Sequence, residues 1–246
     1  MKVVGVIPAR YKSGRFPGKP LADICGKPMI WWVYNQAIKV SEFEGVYVAT
    51  DDTRIEDACK SYSIPVVMTS EAHTNGTDRT AEVAEKVSAD LYVVVMGDEP
   101  MISPDDIKAL VDAMTTDTKY SAGMLCTRFK NGVDLINDTT IKLALNKDNE
   151  LIYMSRLAIP FPKSELNYCH YKNVGVYAFN KEALDFYRNS ERGRLESIED
   201  MEMLRMLENH KYVKVVEVET ESMSVDTYKD LERIRAALAK TLGKDM

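Results

Sequence analysis

Three permanent cations, Arg10, Arg15 and Lys19, share one loop in the stretch Ile7-Pro-Ala-Arg-Tyr-Lys-Ser-Gly-Arg-Phe-Pro-Gly-Lys19. Gly14 and Gly18 let a backbone approach a ligand closely, and the prolines hold the loop in shape. The loop follows the apolar run Val3–Ile7, which reads as a strand, and a cationic loop at the carboxyl end of a strand is suited to gripping a polyphosphate. The spacing is not that of the P-loop, in which two glycines four residues apart precede Lys-Ser/Thr, nor that of the dinucleotide fingerprint. A second chemical element is Met96-Gly-Asp-Glu-Pro100, at the end of the most apolar run of the chain. Asp98 is expected at the carboxyl edge of a sheet, where open α/β folds bind ligands. A carboxylate there can bind Mg²⁺, which takes one or two carboxylates together with phosphate oxygens. Gly-Asp and Glu-Pro are also turn-prone pairs, so a plain turn is the competing account.

The remaining polar stretches are more ambiguous. Val225-Asp226-Thr227 taken alone is a helix cap. Thr74-Asn-Gly-Thr-Asp-Arg79 is a polar loop before a helix, with Thr77 as candidate cap and Asp78 in the first turn. Glu196, Glu199 and Glu202 fall at i, i+3 spacing, which places them near one helix face, where a solvated surface is the simple reading.

The elements that position these residues alternate in the first half. Strands are expected at Val3–Ile7, Val46–Thr50, Val66–Met68 and Leu91–Met96, with helices over Met29–Lys39, from Asp52 or Thr53 through Ala58, over Thr80–Val87, and over Pro104–Met114 behind Ser103. That rhythm implies a mainly parallel sheet with right-handed crossovers. After Tyr120 it changes. Ser121–Thr127, Val174–Phe179 and Val213–Val218 read as strands, Ile141–Leu145 and Leu151–Tyr153 as a hairpin, and Lys181–Tyr187, Ile198–Leu207 and Leu231–Leu242 as helices.

A chain of 246 residues with 45% apolar content can bury a sizeable core. With 32 basic against 38 acidic side chains the net charge is -6, which argues against non-specific binding to nucleic acid or an anionic membrane. Cys25, Cys59, Cys126 and Cys169 are far apart, and with His73, His170 and His210 they form no zinc pattern. They read as reduced thiols in a cytosolic protein. The N-terminal stretch reads as a strand followed by charge rather than as a secretory segment, and no apolar run has transmembrane length.

Arg10-Tyr-x-Ser-x-Arg-x-Pro-Gly-Lys-Pro-Leu21 resembles the signature of the CTP:3-deoxy-manno-octulosonate (Kdo) cytidylyltransferases. These belong to the nucleotide-sugar transferases that also include the sialic acid cytidylyltransferases. The sialic acid branch typically has Arg-Gly-Gly-Ser-Lys at this point, so the Kdo branch fits better. The resemblance spans essentially the whole chain. It implies an α/β fold: a single Rossmann-like nucleotidyltransferase domain with a mixed, mainly parallel sheet and an inserted β-hairpin lobe. The nucleotide part would be about residues 1–118 and 213–246, and the acceptor and dimerisation lobe about 119–212.

The resemblance also implies the chemistry. CTP would lie against Ala9, Arg10, Ser13, Arg15, Lys19, Gly76, Thr77, Asp78 and Gly97. Lys19, Arg10, Asp98 and Asp226 would be catalytic, with Asp98 and Asp226 holding Mg²⁺. A small acidic acceptor would meet Met96, Arg156, Asn173, Tyr177, Glu199 and Glu202. An acceptor oxygen would attack the α-phosphorus and pyrophosphate would leave. The implied partners are CTP, the acceptor and a second copy of the chain in a homodimer, with no nucleic acid and no membrane. The implied setting is the cytoplasm and lipopolysaccharide biosynthesis. Three features depart from the family pattern: Met96 where Gln is usual, Asn173 where His is usual, and Ser222-Met-Ser224 where Gly-Thr-Gly or similar is usual. The first two concern the sugar acid. They leave open a different acceptor (an amino-substituted Kdo, another nonulosonate or a small phosphonate), and a catalytically silent nucleotide-binding homologue is a further alternative.

Overall fold

The computed structural model describes residues 1–12, 14, 16–130, 134–164 and 168–243. The expected CTP contacts Ser13 and Arg15 lie outside the described residues. Every residue of β1 (Val3–Pro8) is buried, as an unbroken apolar run covered on both faces requires. A small antiparallel pair follows, β2 (Asp23–Ile24) and β3 (Lys27–Pro28), turned at Cys25 and Gly26, both at positive φ. The alternating half then runs α1 (Met29–Ala37), β4 (Phe43–Thr50), α2 (Thr53–Ser61), β5 (Val66–Met68), α3 (Gly76–Lys86), β6 (Leu91–Val95) and α4 (Pro104–Thr116). Asp52 caps α2 and Ser103 caps α4, each through a side-chain oxygen that accepts a first-turn N–H. α3 begins four residues before the expected Thr80. Its cap is Asn75, whose Oδ1 accepts the Asp78 N–H, and not Thr77.

The second half contains β7 (Ala122–Arg128), β8 (Lys142–Leu145), β9 (Leu151–Ser155), β10 (Tyr171–Asn180), α5 (Lys181–Asn189), α6 (Arg194–Glu199), α7 (Met203–Glu208), β11 (Val213–Glu217) and α8 (Tyr228–Leu242). The expected single helix over Ile198–Leu207 is therefore two. Asp200 adopts a left-handed backbone (φ 57°) after α6 and ends it.

The main path of the nine-stranded sheet is β11-β7-β10-β6-β1-β4-β5. β1 pairs in parallel with β4 and β6, β4 with β5, and β11 with β7, while β10 runs antiparallel to both neighbours. The β8–β9 hairpin joins the beginning of β10 through Tyr171 opposite Leu143. The fold is thus an α/β domain with a mixed, mostly parallel sheet and an antiparallel hairpin, the Rossmann-like architecture expected from the sequence. Two apolar clusters cover the faces of the sheet. A third, built from Phe16, Ile24, Met29, Val225, Leu231, Ile234 and Leu238, ties the last helix to the cationic loop. Among the described residues no helix is long and apolar enough to cross a membrane.

Candidate active site

The carboxyl ends of β1 and β6 lie side by side, and the chain that leaves them forms the site. Gly97 is required by this closeness: a Cβ there would stand 2.9 Å from the Pro8 carbonyl oxygen. Gly18, at φ 72°, sits against the Tyr11 ring, and its N–H donates to the Tyr11 carbonyl at 2.9 Å, closing the cationic loop. The Arg54 guanidinium stacks on the other partner of this turn, 3.3 Å from the Tyr11 ring centre. Lys19, at the start of a short 3-10 turn, thereby points along the sheet edge.

Its Nζ donates to Asp98 Oδ2 at 2.6 Å and to the Val225 carbonyl at 2.8 Å, and it lies 3.9 Å from Asp226 Oδ1. These three side chains are each about four-fifths buried, at 18–20% exposure, so solvent screens their charges only in part. The Val225 N–H returns a bond to the Asp98 carbonyl at 2.9 Å, which fixes one aspartate segment against the other. The capping work that the sequence allotted to Asp226 or Thr227 belongs to Thr227. It forms a reciprocal capping box with Asp230, and the Asp226 carboxylate faces the Lys19 ammonium.

An open cleft adjoins this cluster. Its wall includes Ala9, Arg10, Thr74, Gly76, Arg79, Met96, Arg192 and Glu202. Arg10 is exposed and donates to the Thr74 carbonyl at 3.2 Å. A small hollow beside the cleft brings together Gly76, Thr77, Met96, Tyr177 and Glu202. Glu202 Oε1 accepts the Gly76 N–H at 3.3 Å, and burial pushes its carboxyl pKa upward. Tyr177 accepts from Asn173 Nδ2 at 2.7 Å; burial, then the Glu202 charge, raises the phenol.

Three expected site residues stand elsewhere. Asp78 lies beside Arg205 (3.6 Å) and Asn75, on a neighbouring cavity and not on the cleft wall. Glu199 accepts from the Ser155 hydroxyl at 2.8 Å and the Arg156 N–H at 3.2 Å. The Arg156 guanidinium donates to the carbonyls of Glu199 and Asp138. The three glutamates do not share a solvated face: Glu196 is fully buried against Arg205, with bonds of 2.5 and 2.7 Å.

A model of the cytidylyltransferase family matches residues 4–218. The chain belongs to the cytidylyltransferase family. It is 38% identical over 244 residues to 3-deoxy-manno-octulosonate cytidylyltransferase of Escherichia coli, covering 99% of each chain. The corresponding protein of Parabacteroides distasonis is 41% identical, with 97% of this chain and 99% of that one covered. A solved structure of CMP:2-keto-3-deoxy-manno-octonic acid synthetase complexed with CTP superimposes with a TM-score of 0.93 at 38% identity, covering 98% and 100% of the two chains. A 4-diphosphocytidyl-2C-methyl-D-erythritol synthase from Anaerococcus prevotii, 17% identical with a TM-score of 0.63, shares the fold.

Two residues of this cytidylyltransferase were not singled out from its sequence. Arg192 joins the cleft wall from the loop before α6, too far along the chain for any local pattern to mark it. Glu99 is buried; burial pushes its carboxyl up to about 7, against the lowering effect of a bond from Ser222. Its local setting, after Asp98 and before Pro100 in the turn that follows β6, gives no signal of burial.

Proposed function

We propose that this member of the family transfers CMP from CTP to a Kdo-like 3-deoxy sugar acid and releases pyrophosphate. The observation that carries the reading is the Lys19 ammonium at 2.6 Å from Asp98 and 3.9 Å from Asp226, beside a cleft lined by Arg10 and Arg79. Mg²⁺ fits this cluster. The donors offered to the lysine cation are all oxygens: two carboxylates and the Val225 carbonyl. No group of three or more His, Cys, Asp or Glu side chains that would cage a metal exists among the described residues. A pair of carboxylates completed by substrate phosphates is how Mg²⁺ is commonly held. Asp98 and Asp226 would hold the ion, which supplies Lewis-acid stabilisation of charge on the phosphates and activation of the attacking oxygen.

The chain's own residues account for the rest of the chemistry. Lys19, with Arg10, neutralises charge that grows on the triphosphate as the bond between the α-phosphorus and the bridging oxygen to the β-phosphorus breaks. Gly97 and Gly76 let the nucleotide approach the backbone, because side chains there would fill the space against Pro8. The acceptor oxygen bonds to the α-phosphorus as pyrophosphate leaves on the opposite side. At the acceptor end Asn173 Oδ1 is buried with no hydrogen-bond partner among the described residues, and such an atom favours a ligand that donates to it.

Met96 supports a second reading of the acceptor alone. Its thioether faces the hollow shared with Tyr177 and Glu202, where it offers no strong hydrogen bond to a hydroxyl. An amino-substituted Kdo or a related acid then competes with Kdo itself. The nucleotide part is assigned to about residues 1–118 and 213–246, and the acceptor and dimer contacts to about 119–212, in a cytoplasmic homodimer. Exposed Ile152, Leu157, Phe161 and Ile198 on that lobe support the pairing.

The test is pyrophosphate release from CTP and Mg²⁺ over a panel of acids that includes Kdo, its amino derivative, other nonulosonates and phosphonates. Turnover with Kdo or a close analogue is expected. Activity confined to an acceptor that is not a 3-deoxy sugar acid would overturn the acceptor assignment, and no turnover with any acid would overturn the enzyme.

A further inference from the structure

Between β11 and α8 the chain crosses the sheet edge as a strap, residues 219–224. It is anchored behind by the Val218 N–H on the Cys126 carbonyl and ahead by the Val225 N–H on the Asp98 carbonyl, both at 2.9 Å. This strap delivers Asp226 to Lys19. Near its middle the Ser222 hydroxyl donates to Glu99 Oε2 at 2.6 Å. The other oxygen, Oε1, accepts the N–H of Gly175 at 3.2 Å.

Both contacts are built. β10 shifts register against β7 between Val174 and Tyr177, so Gly175 takes no place in that ladder and its N–H turns to Glu99. A Cβ at position 175 would stand 2.9 Å from Glu99 Cγ and Oε1, so the carboxylate can seat there only over glycine. Glu99 is 6% exposed and follows Asp98 directly. A single buried side chain therefore links the end of β6, the middle of β10 and the strap.

We propose that Glu99 and Ser222 form a latch that sets the distance between Asp98 and Asp226, so that Glu99 is a positioning residue for the metal–nucleotide site. The proposal rests on the cytidylyltransferase reading for its consequence, though not for its existence. Chain connectivity explains the need for it. The Val218–Cys126 and Val225–Asp98 backbone bonds hold the two ends of the strap, and the span between them needs its own contact to be seated on the site. The Ser222 contact adds a fixed point within that span, three residues before Val225. The buried Thr220 and the fully buried Val225 keep the strap attached when the hydroxyl is removed, so Ser222→Ala is expected to fold.

Binding of Mn²⁺ with CTP, followed by the paramagnetic signal of the metal, provides the test on wild type, Ser222→Ala, Ser222→Thr, Asp226→Asn and the double variant S222A/D226N. Loss of one hydrogen bond to a charged group predicts about tenfold weaker binding for Ser222→Ala, with near-complete rescue by Ser222→Thr. Because the latch acts through Asp226, Ser222→Ala is expected to add little in the Asp226→Asn background. Wild-type binding by Ser222→Ala, or a loss that adds in full to that of Asp226→Asn, overturns the latch. Amide exchange in the nucleotide-free protein separates this result from the enzyme assignment. If the wild type binds no Mn²⁺ with CTP, the cytidylyltransferase reading fails on its own. Faster exchange over residues 223–226 in Ser222→Ala then still supports the latch, and unchanged exchange overturns it.

Discussion

Lys19→Met tests the centre of the site while keeping most of the side-chain volume. The structure gives the ammonium two short bonds, 2.6 Å to Asp98 Oδ2 and 2.8 Å to the Val225 carbonyl, and a longer approach of 3.9 Å to Asp226. Hydrogen bonds to charged groups are worth about 1.5–3 kcal/mol each in the net, and part of this is recovered by water at a site some 18% exposed. A loss of about 2 kcal/mol is therefore expected, or roughly 4–8 °C in Tm for a chain of this size. The catalytic effect is larger, because the same cation would stabilise charge that appears only in the transition state: a fall of about 10²–10³ in kcat. Lys19→Arg is expected to restore little, since a planar fork does not fit the position of a point charge between two carboxylates and a carbonyl. Pyrophosphate release and thermal melting with and without Mg²⁺ read both effects. Mg²⁺ should raise the Tm of Lys19→Met more than that of the wild type, because the ammonium no longer competes for Asp98 and Asp226. Turnover close to that of the wild type would refute the placement of Lys19 at the reacting phosphates.

Gly97→Ala puts a methyl 2.9 Å from the Pro8 carbonyl oxygen; the overpacking costs about 1–3 kcal/mol and, by parting β1 from β6, lowers kcat as well as Tm, so full activity in the variant would contradict the close-approach argument. Glu196→Ala strands the buried Arg205 charge and is expected to cost about 3–5 kcal/mol, whereas the apolar pair Glu196→Leu with Arg205→Met costs less; denaturant melts that rank them the other way would refute the pairing. Burial would raise the Glu82 carboxyl, but bonds from Lys86, the Ser70 N–H and His73 outweigh it and hold the pKa down to about 2 from 4.5. A group depressed in the folded state stabilises above its unfolded pKa and loses that contribution as pH falls from about 4.5 to about 2. Glu82→Gln should therefore flatten the acid side of a Tm–pH curve by about 1 kcal/mol, allowing for solvent around the carboxylate, and an unchanged slope would count against it.

What the sequence revealed was local. The apolar runs of β1 and β6, the caps Asp52 and Ser103, and the cationic loop are each written in a few adjacent residues. The loop and Asp98 were legible because strand ends in an open α/β sheet are marked by an abrupt change from apolar to polar. What the sequence concealed depends on partners far away. Glu196 looked solvated because nothing beside it announces Arg205, which neutralises it in the interior. Lys142 is fully buried, and its Nζ donates to the carbonyls of Asn137 and Arg156, a placement no spacing suggests. The break at Asp200 went unseen because the apolar pattern continues across it and a non-glycine left-handed residue carries little local signal. The cap of α8 is instructive for the opposite reason. Local rules allowed Asp226 or Thr227, and the capping box with Asp230 settles on Thr227, so that the Asp226 carboxylate faces Lys19 and is not used at the helix end.

The distance between the carboxylates along the chain has a physical rationale. Two aspartates close together in sequence and in space would repel in every conformation, folded or not. Supplied from Asp98 and Asp226, they meet only when β6 and α8 are both in place, and packing then overcomes the repulsion that the Lys19 ammonium partly offsets. The apolar cluster of Phe16, Val225 and Leu231 is what brings the cationic loop and the last helix together. Formation of the charged site is in this way coupled to completion of the core: an incompletely folded chain does not present the two carboxylates as a pair, and a folded one holds them at the sheet edge beside the cationic loop.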